Sequence, residues 1–403
     1  MNQKRRLILF VSCLMNLCIG SMYSWSVLSA PMAEELGVPG LSVVFSVASA
    51  VGFITMIIGG LLNDRYGPRW VMFTGSVMFG TGMFLCGFAE RTEDLIFSYG
   101  ILLGLGLSLV YGCTIGNTVK IFPDRRGMAG GMTTACYGIS SVIFAPVAEE
   151  LNRRAGVRWS FWILGGCFLI VLCAGSLLVG RWQEEFFLEY GRRTVRLPQG
   201  TGTDRTPVQM LRTPVFYRLF LTLTCGATFG MMVLSSARGL AVDIAKAGAA
   251  RASFLVSLLC LFNTAGRLIS GWLSDRLGRY RTLEAALTIA LTGMFFLYQS
   301  EKSASAGLFT AGMMLTGICF GTFMGVFPGL CSEQFGETYN TVNYGILWTG
   351  FSAAGLLGPS ILTEVYRNTG CYRDAFLLAG VLAVVGFASL SGCRLPEGQT
   401  AAD

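Results

Sequence analysis

The chain has 403 residues, of which 53% are hydrophobic and only 13% charged, about half the charged fraction of a soluble domain, so most of its surface must face something other than water. Histidine is absent and the thirteen cysteines stand singly, with no CxxC pair, which argues against a metal centre, a disulfide framework or a bound cofactor. The net charge of +7 would suggest a nucleic-acid partner in a soluble protein; in a membrane protein, basic residues mark the loops retained inside, and no nucleic acid is expected.

A helix needs about 20 apolar residues to cross a hydrocarbon core about 30 Å thick. Apolar runs predict spans near 7–28, 42–62, 70–89, 95–119, 131–149, 159–181, 215–236, 252–273, 283–299, 306–326, 342–365 and 375–391. The result is an all-α membrane protein of twelve transmembrane helices. Lys4-Arg5-Arg6 before the first run could open a signal peptide, but the run is long and many more follow, so it reads as an uncleaved first helix. The longest polar connection, Glu184 to Arg212, carries Arg192, Arg193, Arg196 and Arg205 with Pro198, Gly200 and Gly202, and reads as a linker. Residues 1–183 and 213–403 then form two six-helix bundles joined by a cytoplasmic linker, 184–212. With the N-terminus inside, the inner segments hold most of the 30 Lys and Arg residues, which puts both termini on the cytoplasmic side of a plasma or inner membrane.

The halves repeat. Gly60-Leu-Leu-Asn-Asp64-Arg65-Tyr-Gly67 after span two recurs as Gly271-Trp-Leu-Ser-Asp275-Arg276-Leu-Gly278 after span eight. Phe122-Pro123 after span four recurs as Phe327-Pro328 after span ten, and Tyr137-Gly138 recurs as Tyr344-Gly345. Landmarks in the same order at near-constant offset indicate two parallel six-helix repeats, an arrangement that puts a substrate site near the midplane between them. GLLNDRYGPR from Gly60 resembles the loop 2–3 signature of the major facilitator superfamily, and GWLSDRLGRYR from Gly271 is its second-half copy. In both copies the glycine permits close helix approach, and Asp64 and Asp275 can cap or pair across the bundle. Arg65 and Arg276 hold the inner face. These four are candidate gating residues; the plain alternative is generic charge in a turn.

A narrower resemblance covers nearly the whole chain. GSMYSW in span one, VYG followed by NTVKIFPDRRGMAGG after span four, and TACYG in span five resemble the oxalate/formate antiporter family, neighbours of the monocarboxylate carriers. NTAGRLISGWLSDRLGRY in span eight and VFPGLCSEQFG followed by NYG in spans ten and eleven extend that resemblance. It implies a transporter of small organic anions.

Arg267 lies eight residues before Asp275, about 12 Å of helix, and so near the bilayer centre. A charge there costs several kcal/mol unless paired or hydrated, so it should face the central cavity. Its guanidinium matches a carboxylate, and no Asp or Glu sits near the centre of any span to pair with it. The family resemblance likewise implies that the span-eight arginine binds the substrate carboxylate. Asn263, one turn away on the same face, can bond substrate, orient the guanidinium or hold helices together. The resemblance implies a protonatable Asp here in animal monocarboxylate carriers, which puts proton coupling through this amide in doubt. Counting from Asn343-Tyr344-Gly345, the lysine of oxalate-specific members is replaced by Phe351, on one face with Tyr344 and Trp348. Phe320 and Met324 stand where dicarboxylate members carry polar-edged aromatics. Together these suit an apolar substituent better than a second carboxylate; ordinary packing is the alternative. Tyr23, Tyr111 and Tyr137 match the family's cavity tyrosines, whose hydroxyls can share a carboxylate while the rings seal the cavity; core packing is the alternative for each. Trp25 and Trp348 read first as packing or gating. Arg238, Asp243, Lys246 and Arg251 read first as a solvated loop, with anion attraction or an outer gate as the alternative.

The expectation is a secondary active transporter of monocarboxylates such as pyruvate, lactate or formate, working as a monomer in membrane lipid by exchange or proton-linked alternating access. The rivals are a dicarboxylate/formate antiporter, disfavoured by Phe351, and a non-transporting membrane sensor, which would be expected to carry an added signalling domain. An enzyme would need a nucleophile-base pair or a metal cluster, and the sequence offers neither.

Overall fold

The computed structural model describes residues 2–38, 40–193 and 204–393; Arg196, Pro198, Gly200 and Gly202, the linker landmarks named above, lie outside them. Among the described residues, twelve helices are long and apolar enough to cross a membrane. They are α1 Gln3–Leu36, α2 Val43–Tyr66, α3 Pro68–Phe88, α4 Thr92–Ile121, α5 Arg126–Ala155, α6 Val157–Gly180, α7 Pro214–Asp243, α8 Arg251–Leu277, α9 Arg279–Ser303, α10 Ala306–Phe335, α11 Asn340–Thr369 and α12 Arg373–Ser391. No strand occurs among the described residues.

Every predicted apolar run has its helix, and most helices extend beyond the run. The run ending at 326 predicts the end of α10, yet the helix continues to Phe335; α6 likewise winds on as helix to Arg193, into the stretch read as linker. Hydropathy reports only the part that needs hydrocarbon, whereas Arg, Gln, Glu and Leu are good helix formers on either side of that boundary. One landmark is corrected. Phe122, with φ −117°, ends α4 ahead of Pro123, but Phe327-Pro328 lies inside α10 rather than after it. A proline removes one helical N–H without forcing an end when neighbouring helices hold both sides.

The chain forms two compact units, Met1–Pro207 with Cys331–Ile346, and Val208–Leu330 with Leu347–Asp403. In the first, α3 packs on α6 and α4 while α1 packs on α5; in the second, α12 packs on α9 and α7. The α3–α6 pairing recurs six helices later as α9–α12, so the sequence repeat is also a repeat of packing. Outward faces are apolar. On α2, Ile54, Ile58 and Leu61 are exposed at helical spacing, as are Leu377, Val381 and Val384 on α12. Stripes of this kind suit lipid and would be costly in water.

The feature that positions Arg267 is a seam within the second unit. Leu259, Asn263 and Arg267 recur every fourth residue on α8, and Gly317, Gly321 and Gly325 recur every fourth residue on α10. A Cβ at Gly317 would stand 2.9 Å from the Leu259 carbonyl oxygen, one at Gly321 3.0 Å from the Arg267 nitrogen, and one at Gly325 2.6 Å from the Arg267 carbonyl oxygen. Gly266 on α8 returns the contact, lying against the backbone of Ile318. Backbones this close are possible only because one of them lacks side chains, the small-xxx-small arrangement of membrane helices. Gly321→Val should therefore force the seam apart and destabilise the protein by about 1–3 kcal/mol, read as a lower melting temperature in detergent. Gly307→Ala, where a Cβ meets only Ser305 Oγ at 3.9 Å, should leave it unchanged. Equal melting temperatures for both variants would show that α8 and α10 are not held this way.

Candidate functional site

In the second unit, Arg267 is 2% exposed and is among the largest fully buried side chains. Its Nε donates to Asn263 Oδ1 at 3.3 Å, so the amide one turn earlier orients the guanidinium. That leaves Asn263 Nδ2, a donor, beside the cationic fork. Phe320 and Met324 are buried on α10, and the Phe320 ring rests on Gly230 of α7. Phe320 stacks on Phe351 of α11 at 6.1 Å between centroids, and Phe351 stacks on Trp348 at 4.3 Å. An aromatic ladder thus runs from α10 to α11 within the unit that holds the buried cation. The position at which an oxalate-type lysine is expected is the middle rung, half-buried and apolar.

The first unit gathers the three tyrosines. Tyr137 meets Tyr23 edge-on at 5.2 Å and Tyr111 at 5.0 Å. Tyr23 is carried by Gly20–Ser24, which tightens α1 into a 3-10 turn. Gly20 lies so close to Tyr137 and Ser140 of α5 that a Cβ would stand 2.6 Å from Ser140 Cβ, and Ser140 Oγ donates to the Leu17 carbonyl at 2.6 Å. Trp25 is packing: buried, it lies 4.1 Å from the Tyr99 ring. Beyond the tyrosines runs a polar thread that sequence reasoning missed. Asn16, fully buried, donates to Thr114 Oγ1 at 2.7 Å, Thr118 and Thr133 hydroxyls are 3.4 Å apart, and Asn117 donates to Asn63 at 2.9 Å. The signal was present as polar residues at helical spacing, Asn16 within α1 and Thr114, Asn117 and Thr118 within α4.

The duplicated turns share their backbone. Gly67 and Gly278 share a positive φ, 84° and 89°, which favours glycine after each Asp-Arg pair. Asp64 accepts from Lys120 Nζ at 2.6 Å and from the Val342 N–H at 3.0 Å. A Cβ at Gly60 would stand 2.7 Å from Val342 Cα, which brings Asp64 to the start of α11. Asp275 pairs with Arg279 at 2.6 Å. Arg65 and Arg276 are exposed, stacked over Tyr66 and Trp272 at 5.2 and 4.0 Å to the ring centroids. Chain starts are tied in as well: Arg5 pairs with Asp124. Burial opposes the Asp124 charge, but Arg5 and Arg125 outweigh it and hold the carboxyl below its usual range. Of the four residues expected in a solvated loop, Arg238 and Asp243 lie in the last turns of α7 and Arg251 opens α8, leaving Lys246 between the helices; all four are exposed, and the Tyr372 hydroxyl donates to Asp243 at 2.7 Å. Burial and that carboxylate raise the Tyr372 phenol above its usual range. No three His, Cys, Asp or Glu side chains come together as metal ligands among the described residues.

A buried cation in a duplicated helical fold invites comparison with known carriers. The chain is 28% identical over 355 residues to an uncharacterised MFS-type transporter, YhjX, of Escherichia coli, covering 87% of this chain and 86% of that one. It is 27% identical over 386 residues to the oxalate:formate antiporter of Oxalobacter formigenes (93% and 88% covered), and 26% identical to monocarboxylate transporter 13 of Bos taurus (86% and 78%). Among solved structures, the transporter FucP in its outward conformation superposes with a TM-score of 0.69 at 14% identity, covering 97% of this chain and all of that one. The proton:xylose symporter XylE gives 0.71 at 17%, with 97% and 96% covered. At such identities the structural likeness speaks for the fold alone. The sequence model of the Major Facilitator Superfamily matches residues 9–359 and 240–400, and the chain belongs to that family of membrane transporters.

Proposed function

We propose that the protein is a secondary active transporter of small organic anions, monocarboxylates such as lactate, pyruvate and formate foremost, working by exchange or proton-linked alternating access. Residues 1–183 and 213–403 act as the two bundles on this reading, with both termini on the cytoplasmic side of the plasma membrane. The observation that carries it is the burial of Arg267 with Asn263 Oδ1 on its Nε. A guanidinium at membrane depth is held at a cost, and its bidentate fork is matched to a carboxylate. Asn263 cannot titrate, so a proton, where one moves, travels on the substrate itself. Asp64 and Asp275, with their partners, serve the gates rather than the substrate. The similarity to an oxalate:formate antiporter favours a second reading as a dicarboxylate exchanger, and Phe351 separates the two. With one cation in place, a second carboxylate would be desolvated against aromatic rings, whereas a methyl or acetyl group can rest on Phe351 and Phe320.

Arg267→Gln in purified protein should weaken binding of labelled lactate by at least about thirtyfold while the melting temperature stays close to wild type, because truncating one partner of a buried charge pair costs about 2–5 kcal/mol. Near wild-type exchange by this variant in liposomes would remove Arg267 from the site. The wild-type protein should prefer lactate or pyruvate over oxalate by at least about tenfold, about 1.4 kcal/mol, in competition assays. Phe351→Lys should weaken lactate binding and strengthen oxalate binding. Oxalate bound by wild type as tightly as lactate would mean that another cation reaches the substrate.

A further inference from the structure

The turn between α10 and α11 is held from two directions, and only one of them involves the duplicated signature. From the bundle side, Arg126 pairs with Glu337, Lys120 Nζ donates to the Thr338 carbonyl at 3.4 Å, Asn63 Nδ2 donates to Thr341 Oγ1 at 2.9 Å, and Asp64 takes the Val342 N–H. From the other side comes Asp204. One of its carboxylate oxygens accepts the backbone N–H of Glu337 at 2.9 Å and of Thr338 at 3.3 Å; the other accepts the Thr338 hydroxyl. The next residue continues the contact: the Arg205 N–H donates to the Phe335 carbonyl at 2.9 Å, and its own carbonyl accepts from Asn343 Nδ2 at 3.0 Å. Asn343 is fully buried. Gly336 has φ +91°, and a Cβ there would stand 2.7 Å from Asp204 Cα, so the turn has the residue that lets Asp204 approach.

We infer that Asp204 and Arg205 form a clasp that positions the α10–α11 turn for closure against the ends of α2, α4 and α5. This rests on the alternating-access reading of the protein, in which that contact must break and reform each cycle. The physical case is that the turn's own N–H groups at Glu337 and Thr338 precede the first helical residue of α11, where no intrahelical acceptor serves them. A carboxylate satisfies both with charge-assisted bonds, stronger than those of a neutral acceptor. With the turn fixed, Glu337, Thr341 and Val342 face Arg126, Asn63 and Asp64; with it loose, each of those contacts must first recover the entropy of ordering it. Asp204 is therefore a positioning residue that acts on the gate without touching substrate.

Hydrogen exchange with mass spectrometry on the full-length protein reads this without any substrate, so it stands apart from the choice of anion. Asp204→Ala should raise exchange about tenfold in residues 340–346 and also in 58–66 at the end of α2, with Asp204→Asn intermediate and Asp204→Glu close to wild type. In liposomes, Asp204→Asn should change the turnover of labelled lactate severalfold while its KM stays within about twofold of wild type. Should Asp204→Ala fail to fold, Gly336→Ala, which crowds the carboxylate out, should give the same pattern of exchange. Faster exchange confined to Glu337 and Thr338, or no change, would reduce Asp204 to a local cap and overturn the clasp. A protein that moves no lactate but shows the full exchange pattern would overturn the substrate assignment and leave the clasp standing.

Discussion

A guanidinium buried among packed helices must exchange its water for protein atoms, and the effective penalty is several kcal/mol even after relaxation. Arg267 meets that constraint by sitting in a seam where α8 and α10 approach backbone to backbone, with Asn263 on its Nε. Much of the second unit follows from it. The three glycines of α10 exist at the three positions where α8 presents Leu259, Asn263 and Arg267. Phe320, between two of those glycines, rests on Gly230 of α7 and joins the ladder through Phe351 and Trp348. On the proposed function this rigidity has a chemical use: a cation whose backbone cannot shift would present a preorganised fork to its anion.

The first unit is built on tyrosines and asparagines. Its polar atoms form a thread from Asn16 and Thr114 to Asn63 and Asn117, and each link is a bond between helices that would otherwise have only dispersion to join them in lipid. The thread ends on Asp64, Lys120 and the start of α11. Asp64 joins three helices, and Asp275 pairs with Arg279, whose guanidinium lies 3.3 Å from where a Gly329 Cβ would stand.

How much of this was legible beforehand depended on whether the physics was local. All twelve spans could be read because hydrocarbon thickness imposes a length on each apolar run, and the burial of Arg267 was expected from its place inside span eight. The glycines at 60, 67, 271 and 278 stood out because they recur with the Asp-Arg pair. The stripe at 317, 321 and 325 is as plain a pattern, yet nothing in α10 alone says that its partner is the arginine helix. Pro328 reads as a helix end in isolation and is not one, because packing outweighs one lost hydrogen bond. Asp204 was invisible for the opposite reason: an aspartate in a polar connection gives no hint that it will meet a turn more than a hundred residues later. Pairings such as Tyr23 with Tyr137 depend on the 3-10 turn at Gly20, a local distortion that only the crossing of α1 and α5 explains.

The central claim is that Arg267 is where the carboxylate sits. An experimental structure of the full chain with a bound monocarboxylate tests it most directly. The account predicts both carboxylate oxygens within about 2.7–2.9 Å of the Arg267 guanidinium nitrogens, with the apolar end of the anion against Phe351. A carboxylate bound elsewhere, with Arg267 still held by protein groups alone, would contradict it.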